Sequence, residues 1–472
     1  MSSVAGYFPD LSKTFDIFES PGKGRGLVAI KDFEPGELIY KDNPLLLGPR
    51  VKELCVGCHS DKELSDCPLG CHLPVCSDSC SQSPLHLDEC SFLRKSLPDQ
   101  VDESWKKVIT CCIVVLRCLF LKPEEKKFFK CLEKHRGKRH GFEAKILKRF
   151  LGEKLSLEDE NWLRKCCEIL DTNAFDVSNG KESNIAKNNI SLRGVFRMAC
   201  FMNHDCSPNT CISFDPQGVM YVSAAKPIPA GEEITTTYCT LMWNTSTRRS
   251  YILETKHFLC KCQRCLDPTE FGSNLSALTC PLGKGYVLPT NTTNINSAWS
   301  CNCCSRQLSA KQAAFLQMAQ LLIISRMDFS NPTYVKSFLT ENEVPMCSQA
   351  ALTLMLDVVK LIGNVKGFYW SELPEEILDL KEELCCNILK TMDSIQIGCC
   401  RSKGLILLEL YTVFNEKINR IKEHDQECSK KIWDGMCNTL IEARKIFCLE
   451  ETAPKILHLK ENFHQQVATK FQ

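Results

Sequence analysis

Seven residues, Asn203-His204-Asp205-Cys206-Ser207-Pro208-Asn209, bring an amide, an imidazole, a thiol and a turn-forming Ser-Pro into one short segment. Burying such a cluster is costly unless every polar group finds a partner. Two stretches downstream can supply partners. Gly231-Glu232-Glu233-Ile234-Thr235-Thr236-Thr237-Tyr238 reads as a turn feeding a β-branched strand that ends in a tyrosine. Cys260-Lys261-Cys262-Gln263-Arg264-Cys265 offers three thiols at CxCxxC spacing, one short of a tetrahedral zinc site, and Cys206 is the candidate fourth ligand. Such an ion would clasp 203–209 to 260–265 with Tyr238 held between them. A tyrosine ending a buried strand is ordinarily packing with a satisfied hydroxyl. Its place between the glycine turn and the thiol cluster marks Tyr238 as functional instead.

A second cysteine group lies far upstream: Cys55-x2-Cys58-x8-Cys67-x3-Cys71-x4-Cys76-x3-Cys80-x5-His86-x3-Cys90. Eight potential ligands in so short a span make two four-ligand zinc sites, because the span has no other means of ordering itself. Spacing alone does not fix which ligands share an ion, and His59 and His72 read as bystanders. Cys280, Cys301, Cys303 and Cys304 flank a Pro/Asn/Thr-rich stretch with irregular spacing, so metal and plain structural thiols both remain open there. Near the N-terminus, Pro21-Gly22-Lys23-Gly24-Arg25-Gly26 lets the backbone approach a ligand and present its N–H groups. No Gly-Lys-Ser/Thr ends it and no helix follows, so it is not a phosphate loop, and alone it reads as a flexible hairpin turn.

The elements that position these groups are short strands and helices. Phe15–Glu19, Leu27–Lys31 and Leu38–Tyr40 read as strands, and Thr210–Phe214 and Val219–Ala224 as a hairpin about Asp215-Pro216-Gln217-Gly218. Residues from about 92 to 170 read as helical, with Trp105–Leu121 a nearly continuous apolar face and Lys126–Arg149 rich in bases. The run His135-Arg136-Gly137-Lys138-Arg139-His140 is diluted by nearby glutamates and reads as a solvated face rather than a nucleic-acid contact. Leu192–Met202 is either helical or extended, and Thr245–His257 has helical spacing. Beyond Arg306 the pattern is helical. Leu407, Leu410, Tyr411, Phe414, Ile418 and Ile421 form one core stripe, and Trp433, Met436, Leu440, Ala443 and Phe447 another.

At 472 residues the chain calls for two or three domains, and its net charge of +1 steers it toward neither nucleic acid nor anionic membranes. The outlier is cysteine, at 32 residues. Met1–Ser20 has neither a basic start nor an apolar core, so secretion is not expected. The longest apolar run, Val108–Leu121, is too short to span a bilayer. Thiols kept reduced in the cytoplasm or nucleus serve as metal ligands more readily than as disulfides.

Taken together, Asn203-His204-x-Cys206-x-Pro208-Asn209, Gly231-Glu232-Glu233-Ile234-x3-Tyr238 and Cys260-x-Cys262-x2-Cys265 resemble the SET and post-SET motifs of protein lysine methyltransferases. The inserted cysteine module at 55–90 resembles a MYND zinc finger. That arrangement is similar to the SMYD family, in particular its arthropod-type members, in which a segment like Cys280-Pro281…Trp299-Ser300-Cys301-x2-Cys304 follows post-SET. The resemblance covers about the first 305 residues by motif and the rest by architecture. It implies an α+β fold: a β-rich SET core threaded in a knot-like way, an inserted MYND finger, a post-SET zinc site and an α-helical, TPR-like C-terminal domain. The implied segments are 1–50 and 191–243 for the two parts of SET, 51–92 for the finger and 93–190 for a helical insert. Post-SET with the further cysteine segment takes 244–305, and the helical domain 306–472.

The resemblance also implies site roles. Lys23, Gly24 and Arg25 would contact S-adenosylmethionine from the glycine turn, and Asn173 from an Asn-x-Phe stretch. Asn203 and His204 would hold the cofactor's amino-acid and adenine parts, Phe258 would stack near the adenine, and Tyr238 would be the catalytic tyrosine, also beside the cofactor. In the finger, Cys55, Cys58, Cys76 and Cys80 would share one zinc ion and Cys67, Cys71, His86 and Cys90 a second. Cys206, Cys260, Cys262 and Cys265 would hold the third. The partner implied is a protein substrate with an exposed lysine, met by a monomer whose finger and helical domain bind other proteins, with no nucleic acid or membrane. Departures from the pattern are Arg25 for asparagine, Lys256 for an aromatic wall of the lysine channel, Asp205 for serine, Gly283 for a cysteine, and altered spacings around Cys71 and His86. Arg25 and Lys256 motivate the rival expectation of a catalytically silent adaptor. A zinc hydrolase is a poor third, since protein ligands fill the clustered sites.

Overall fold

The structure, a computed structural model, describes residues 14–20, 22–97, 101–135, 141–178, 191–282, 285–327, 332–364, 368–420 and 426–447. The strands Phe15–Ser20 and Gly24–Ala29 form an antiparallel hairpin, with Phe15 opposite Ala29 and Ser20 opposite Gly24. The second strand begins earlier than the apolar pattern predicts, because the glycine segment itself pairs with Phe18–Ser20. Gly24 takes φ +81, a left-handed backbone that glycine adopts without strain. Gly26 is needed for space: a Cβ there would lie 2.8 Å from the Phe18 ring and 3.0 Å from the Asn203 amide.

Glu233–Thr236 adds to this hairpin antiparallel, and Asn203–His204 then pairs parallel to it, Thr235 beside Asn203 and Thr236 beside His204. One four-stranded sheet therefore carries the glycine turn, the Gly-Glu-Glu-Ile strand and the central motif side by side. A second sheet joins Thr210–Phe214, Met220–Ala224 and Leu38–Asp42. Its hairpin turn is organised by Asp215, whose carboxylate accepts from the Gln217 and Val219 amides at 2.9 and 2.8 Å. A third joins Pro44–Pro49, Ser191–Phe196 and Phe175–Ser178, which settles 191–196 as extended.

The insert between the two halves of the core is helical but more broken than its periodicity predicts. Glu103–Cys111 and Ile113–Arg117 are separate helices that meet at Cys112, and Cys118–Phe120 tightens to a 3-10 turn. Cys112 leaves helical geometry at φ -96 and ψ 7, and the β-branched run Ile113, Val114 and Val115 that opens the second helix is buried. The basic stretch divides Pro123–Lys130 from Phe142–Leu151, and residues 136–140 of it lie outside the described residues.

Among the described residues six α-helices follow the last cysteine segment, from Ala310–Ile324 to Gln426–Phe447, and Ile421 of the expected stripe lies outside the described residues. Leu407 and Tyr411 of one stripe and Met436, Leu440, Ala443 and Phe447 of the other share a buried cluster. The helical part meets the core beside the central motif. Cys399 N–H donates to Ala225 O at 2.8 Å and Ser207 Oγ to Gln396 O at 3.1 Å. Gly398, at φ +64, sits so close that a Cβ would be 2.1 Å from Ala225 O. No described helix is long and apolar enough to cross a membrane.

Candidate active site

Each polar residue of the central motif makes at least one hydrogen bond. Asn203 Nδ2 donates to Arg25 O at 3.1 Å and to Glu233 Oε1 at 2.8 Å, and the other Glu233 oxygen takes the Lys23 ammonium at 2.8 Å. One amide and one carboxylate thus staple three segments that are distant in sequence. Asn209 Oδ1 accepts from Thr235 N at 2.8 Å, and its amide donates to Glu232 Oε1 and Glu233 O. Asp205 Oδ1 accepts from Ser207 N at 2.8 Å. These bonds offset the desolvation that makes a buried polar motif expensive.

A cavity of about 810 Å³ opens beside this staple, and Lys23, Arg25, Asn173, Asn203, Tyr238 and Phe258 all line it. That volume suits a nucleoside-sized ligand. Gly24, between Lys23 and Arg25, pairs with Ser20 in the hairpin and is not itself among the lining residues, although nothing lies within 4 Å of a Cβ built on it. Two residues expected to hold a ligand spend their side chains otherwise. Asn173 Nδ2 donates to Glu133 O and Ile169 O, both at 2.7 Å, which braces the wall. Arg25 packs over the Phe201 ring at 5.1 Å and donates to Cys131 O at 2.6 Å, turning its charge toward the helical insert.

Tyr238 closes one side. Its hydroxyl donates to Met202 O at 2.6 Å, and burial holds its pKa well above the ordinary phenol value, so the group keeps its proton. Its backbone N–H donates to His204 Nδ1 at 3.0 Å, while His204 Nε2 lies 3.1 Å from the Cys206 sulfur. Both imidazole nitrogens are therefore used inside the protein, which leaves only the ring face and backbone of His204 for a ligand. That ring and Phe258 flank Tyr238, with centroids 5.3 and 6.5 Å away.

Lys256, the departure expected at the channel wall, also lines the cavity. Its Nζ sits 5.4 Å from the Tyr238 ring centroid and donates to Thr172 O at 2.6 Å. Burial chiefly, with help from Arg193, lowers its pKa to about 8 against the pull of Cys200, Asp171 and Asp176. The helix Thr245–Lys256 ends there, at His257 with φ +63, which delivers Phe258 to the cavity.

Three four-ligand groups have all donor atoms within 4.8 Å of one another: Cys55, Cys58, Cys76 and Cys80; Cys67, Cys71, His86 and Cys90; and Cys206, Cys260, Cys262 and Cys265. Donor sets of four thiols, or three thiols and an imidazole, at that spacing fit tetrahedral zinc. Sequence reasoning missed what surrounds them. Beside Cys206, buried Glu270 pairs with Arg248 at 2.6 Å and Arg264 at 3.0 Å; Arg264 also donates to Cys206 O, and Arg248 approaches the Cys265 sulfur at 3.7 Å. In the finger, His86 Nδ1 meets Glu89 at 2.9 Å, and Glu89 is held by Arg117 at 2.6 Å. Arg117 also reaches Leu47 O and Val56 O, fastening finger to core. An arginine interrupting an apolar run was the one available signal.

Comparison with known proteins agrees with this geometry. The SET domain family model matches residues 24–239. Over 411 residues, 84% of this chain and 90% of the relative, the sequence is 30% identical to SET domain-containing protein SmydA-8, isoform B, of Drosophila melanogaster. The chain belongs to the SMYD family of SET-domain proteins. More distant relatives match about half of the chain. Human N-lysine methyltransferase SMYD2 is 27% identical over 270 residues, 52% of this chain and 59% of that protein. The histone-lysine N-methyltransferase ASHR1 of Arabidopsis thaliana is 26% identical over 273 residues, 52% of this chain and 53% of that protein.

Proposed function

We propose that this SMYD protein is a protein-lysine N-methyltransferase that moves a methyl group from S-adenosylmethionine to a lysine side chain of a histone or another protein, in the cytoplasm and nucleus. The observation that carries the reading is the single cavity shared by Lys23, Arg25, Asn203, Tyr238 and Phe258, beside a clasp of four thiols. The SMYD2 and ASHR1 relatives, named as lysine methyltransferases, support it.

Bound in that cavity, S-adenosylmethionine supplies an electrophilic methyl on a sulfonium. The glycine turn brings Lys23 and Arg25 to the cavity wall, and the Phe258 ring offers a stacking face. The chain's own task is to present a neutral amine in line and to exclude water. Desolvation lowers the pKa of an entering lysine and frees its lone pair. Tyr238 acts by position. Its proton is committed to Met202 O, so the phenol oxygen accepts an N–H of the amine and fixes the direction of the lone pair. It cannot serve as a base, because burial keeps it protonated. Three zinc ions at the four-ligand groups would be structural, their ligand sets being full.

A labelled-methyl assay on cell lysate tests the reading, with Tyr238→Phe as comparison. The variant should bind S-adenosylmethionine as wild type does by calorimetry and lose about a hundredfold in transfer, the scale of lost alignment. No transfer by wild type, or equal transfer by both, would refute it. Lys256 beside Tyr238 is the one observation that favours the silent-adaptor alternative, and wild type that fails to bind the donor would support it.

A further inference from the structure

We propose that Cys280, Cys301 and Cys304 hold a fourth zinc ion whose remaining coordination position is open to a ligand from outside the chain. The three sulfurs lie within 4.8 Å of one another, Cys280 and Cys304 only 3.5 Å apart. Thiols at such distances that are not bonded to each other share a cation readily, since the cation removes the repulsion between their thiolates.

Hydrogen bonding points the same way. The Cys303 N–H donates to the Cys301 sulfur at 3.3 Å. The same amide-to-sulfur bond recurs in two of the four-ligand groups, from Cys76 N to Cys55 at 3.4 Å and from Cys262 N to Cys260 at 3.5 Å. An amide aimed at sulfur stabilises the thiolate, which is the form that binds metal. The turns that carry the cysteines are built tightly around them. Cys280 N donates to Gly285 O at 3.1 Å and Cys301 N to Arg306 O at 2.9 Å. At Gly285 a Cβ would sit 2.8 Å from the Cys301 sulfur and 2.5 Å from Asn302 Oδ1.

Energetics require something of this kind. The local sheet is made of Leu278–Thr279, Tyr286–Pro289, Trp299–Cys301 and Gln307–Leu308, strands of two to four residues. Its buried cluster has only Leu278, Val287, Trp299 and Ala313 besides two of the cysteines. So little apolar area does not order four short strands, and modules of this size rely on a metal or disulfides. A disulfide would strand the third thiol.

The donor count sets the character of the site. Among the described residues no fourth Cys, His, Asp or Glu joins the three, and neither Gly283 nor Lys284, outside the described residues, supplies such a ligand atom. Cys303 is exposed and not part of the group. Sites closed by four protein ligands are structural, whereas three leave a position for water or another donor. Cys304, one of the three ligands, is exposed, so solvent and small ligands reach the group. The ligand it takes is a soft monodentate donor, a thiolate or imidazole of another molecule, with water at rest.

The test is zinc release from the purified full chain to 4-(2-pyridylazo)resorcinol, with total zinc measured by mass spectrometry. Wild type should release one fast equivalent beyond the slow fraction. Cys304→Ser, at an exposed position, should lose one equivalent and the fast phase while keeping its circular dichroism. Cys303→Ser should change neither. Loading the vacated fast site with cobalt(II) and adding glutathione or imidazole should shift the visible bands. Equal zinc in wild type and Cys304→Ser overturns the site. Loss of the fast phase in Cys303→Ser, or bands unmoved by both ligands, overturns the open position. Each comparison is a difference between variants, so it stands whether or not the protein transfers methyl groups.

Discussion

Lys256→Met should make the enzyme faster at neutral pH and leave it unchanged at alkaline pH. The drop in Lys256 pKa from 10.5 to about 8 corresponds to about 3 kcal/mol set against the ammonium. An ammonium near the Tyr238 ring, where a target amine must arrive, also repels a sulfonium and a second ammonium. At about 6 Å and an effective dielectric of about 20, each such repulsion is worth about 3 kcal/mol, or about a hundredfold. Chains with neutral Lys256 therefore carry nearly all the flux. At pH 7 about one chain in ten has that form, and at pH 9 about nine in ten. The sign follows from the lowered pKa: charge on Lys256 is present below pH 8 and lost above it. The groups facing Nζ are Asp171, Asp176, Arg193 and Cys200, and Arg193 is itself paired with Glu143 and Asp171. The assay is the ratio of kcat/KM, Lys256→Met over wild type, from pH 6.5 to 9.5 on one substrate. Taking the ratio cancels the titration of the substrate lysine, common to both proteins. The ratio should fall from about ten at pH 7 to about one at pH 9. A ratio independent of pH, or a variant slower than wild type at pH 7, would refute the reasoning and make Lys256 an asset to the site.

Glu270→Gln should cost about 3–5 kcal/mol by denaturant unfolding, because it leaves Arg248 and Arg264 buried without their anion. The paired guanidiniums hold the Glu270 carboxyl below its ordinary 4.5 despite burial, so the gap between variant and wild type is full at pH 7 and closes as pH falls below that value. Glu89→Gln should weaken zinc at Cys67, Cys71, His86 and Cys90 by about ten- to a hundredfold in chelator competition, since Glu89 orients His86; an unchanged affinity would show the carboxylate serves only Arg117.

What was legible in the sequence was whatever spacing or turn chemistry constrains locally. Cysteine spacing pointed to metal, and the glycine turn and Asp215 hairpin follow from backbone conformations few residues accept. The apolar pattern starts the strand Gly24–Ala29 only at Leu27, because glycines carry no hydrophobic signal and Gly26 answers to the space that Phe18 and Asn203 leave. The apolar face of Trp105–Leu121 runs on without a break, so nothing in its pattern signals the departure from helical geometry at Cys112. Least legible were pairs such as Glu89–Arg117 and Glu270–Arg248. Charged residues have no periodicity that betrays burial, and a partner 28 positions away in sequence leaves no local trace.

The link between clasp and cavity runs through one side chain. Cys206 is 3.1 Å from His204 Nε2, and His204 Nδ1 takes the N–H of Tyr238. An imidazole that accepts at Nδ1 carries its proton at Nε2 and so donates to sulfur. Thiolate at Cys206 strengthens that bond, since charge-assisted hydrogen bonds are shorter and stronger. It thereby fixes the tautomer that can receive the Tyr238 amide. The arrangement explains why an Asn-His-x-Cys order is useful: three residues within four positions serve the staple to Glu233, the support of Tyr238 and the thiol group in turn. Holding the phenol in place then depends on a residue that need not touch either reactant, and His204 is better described as a positioning residue than as a cofactor contact.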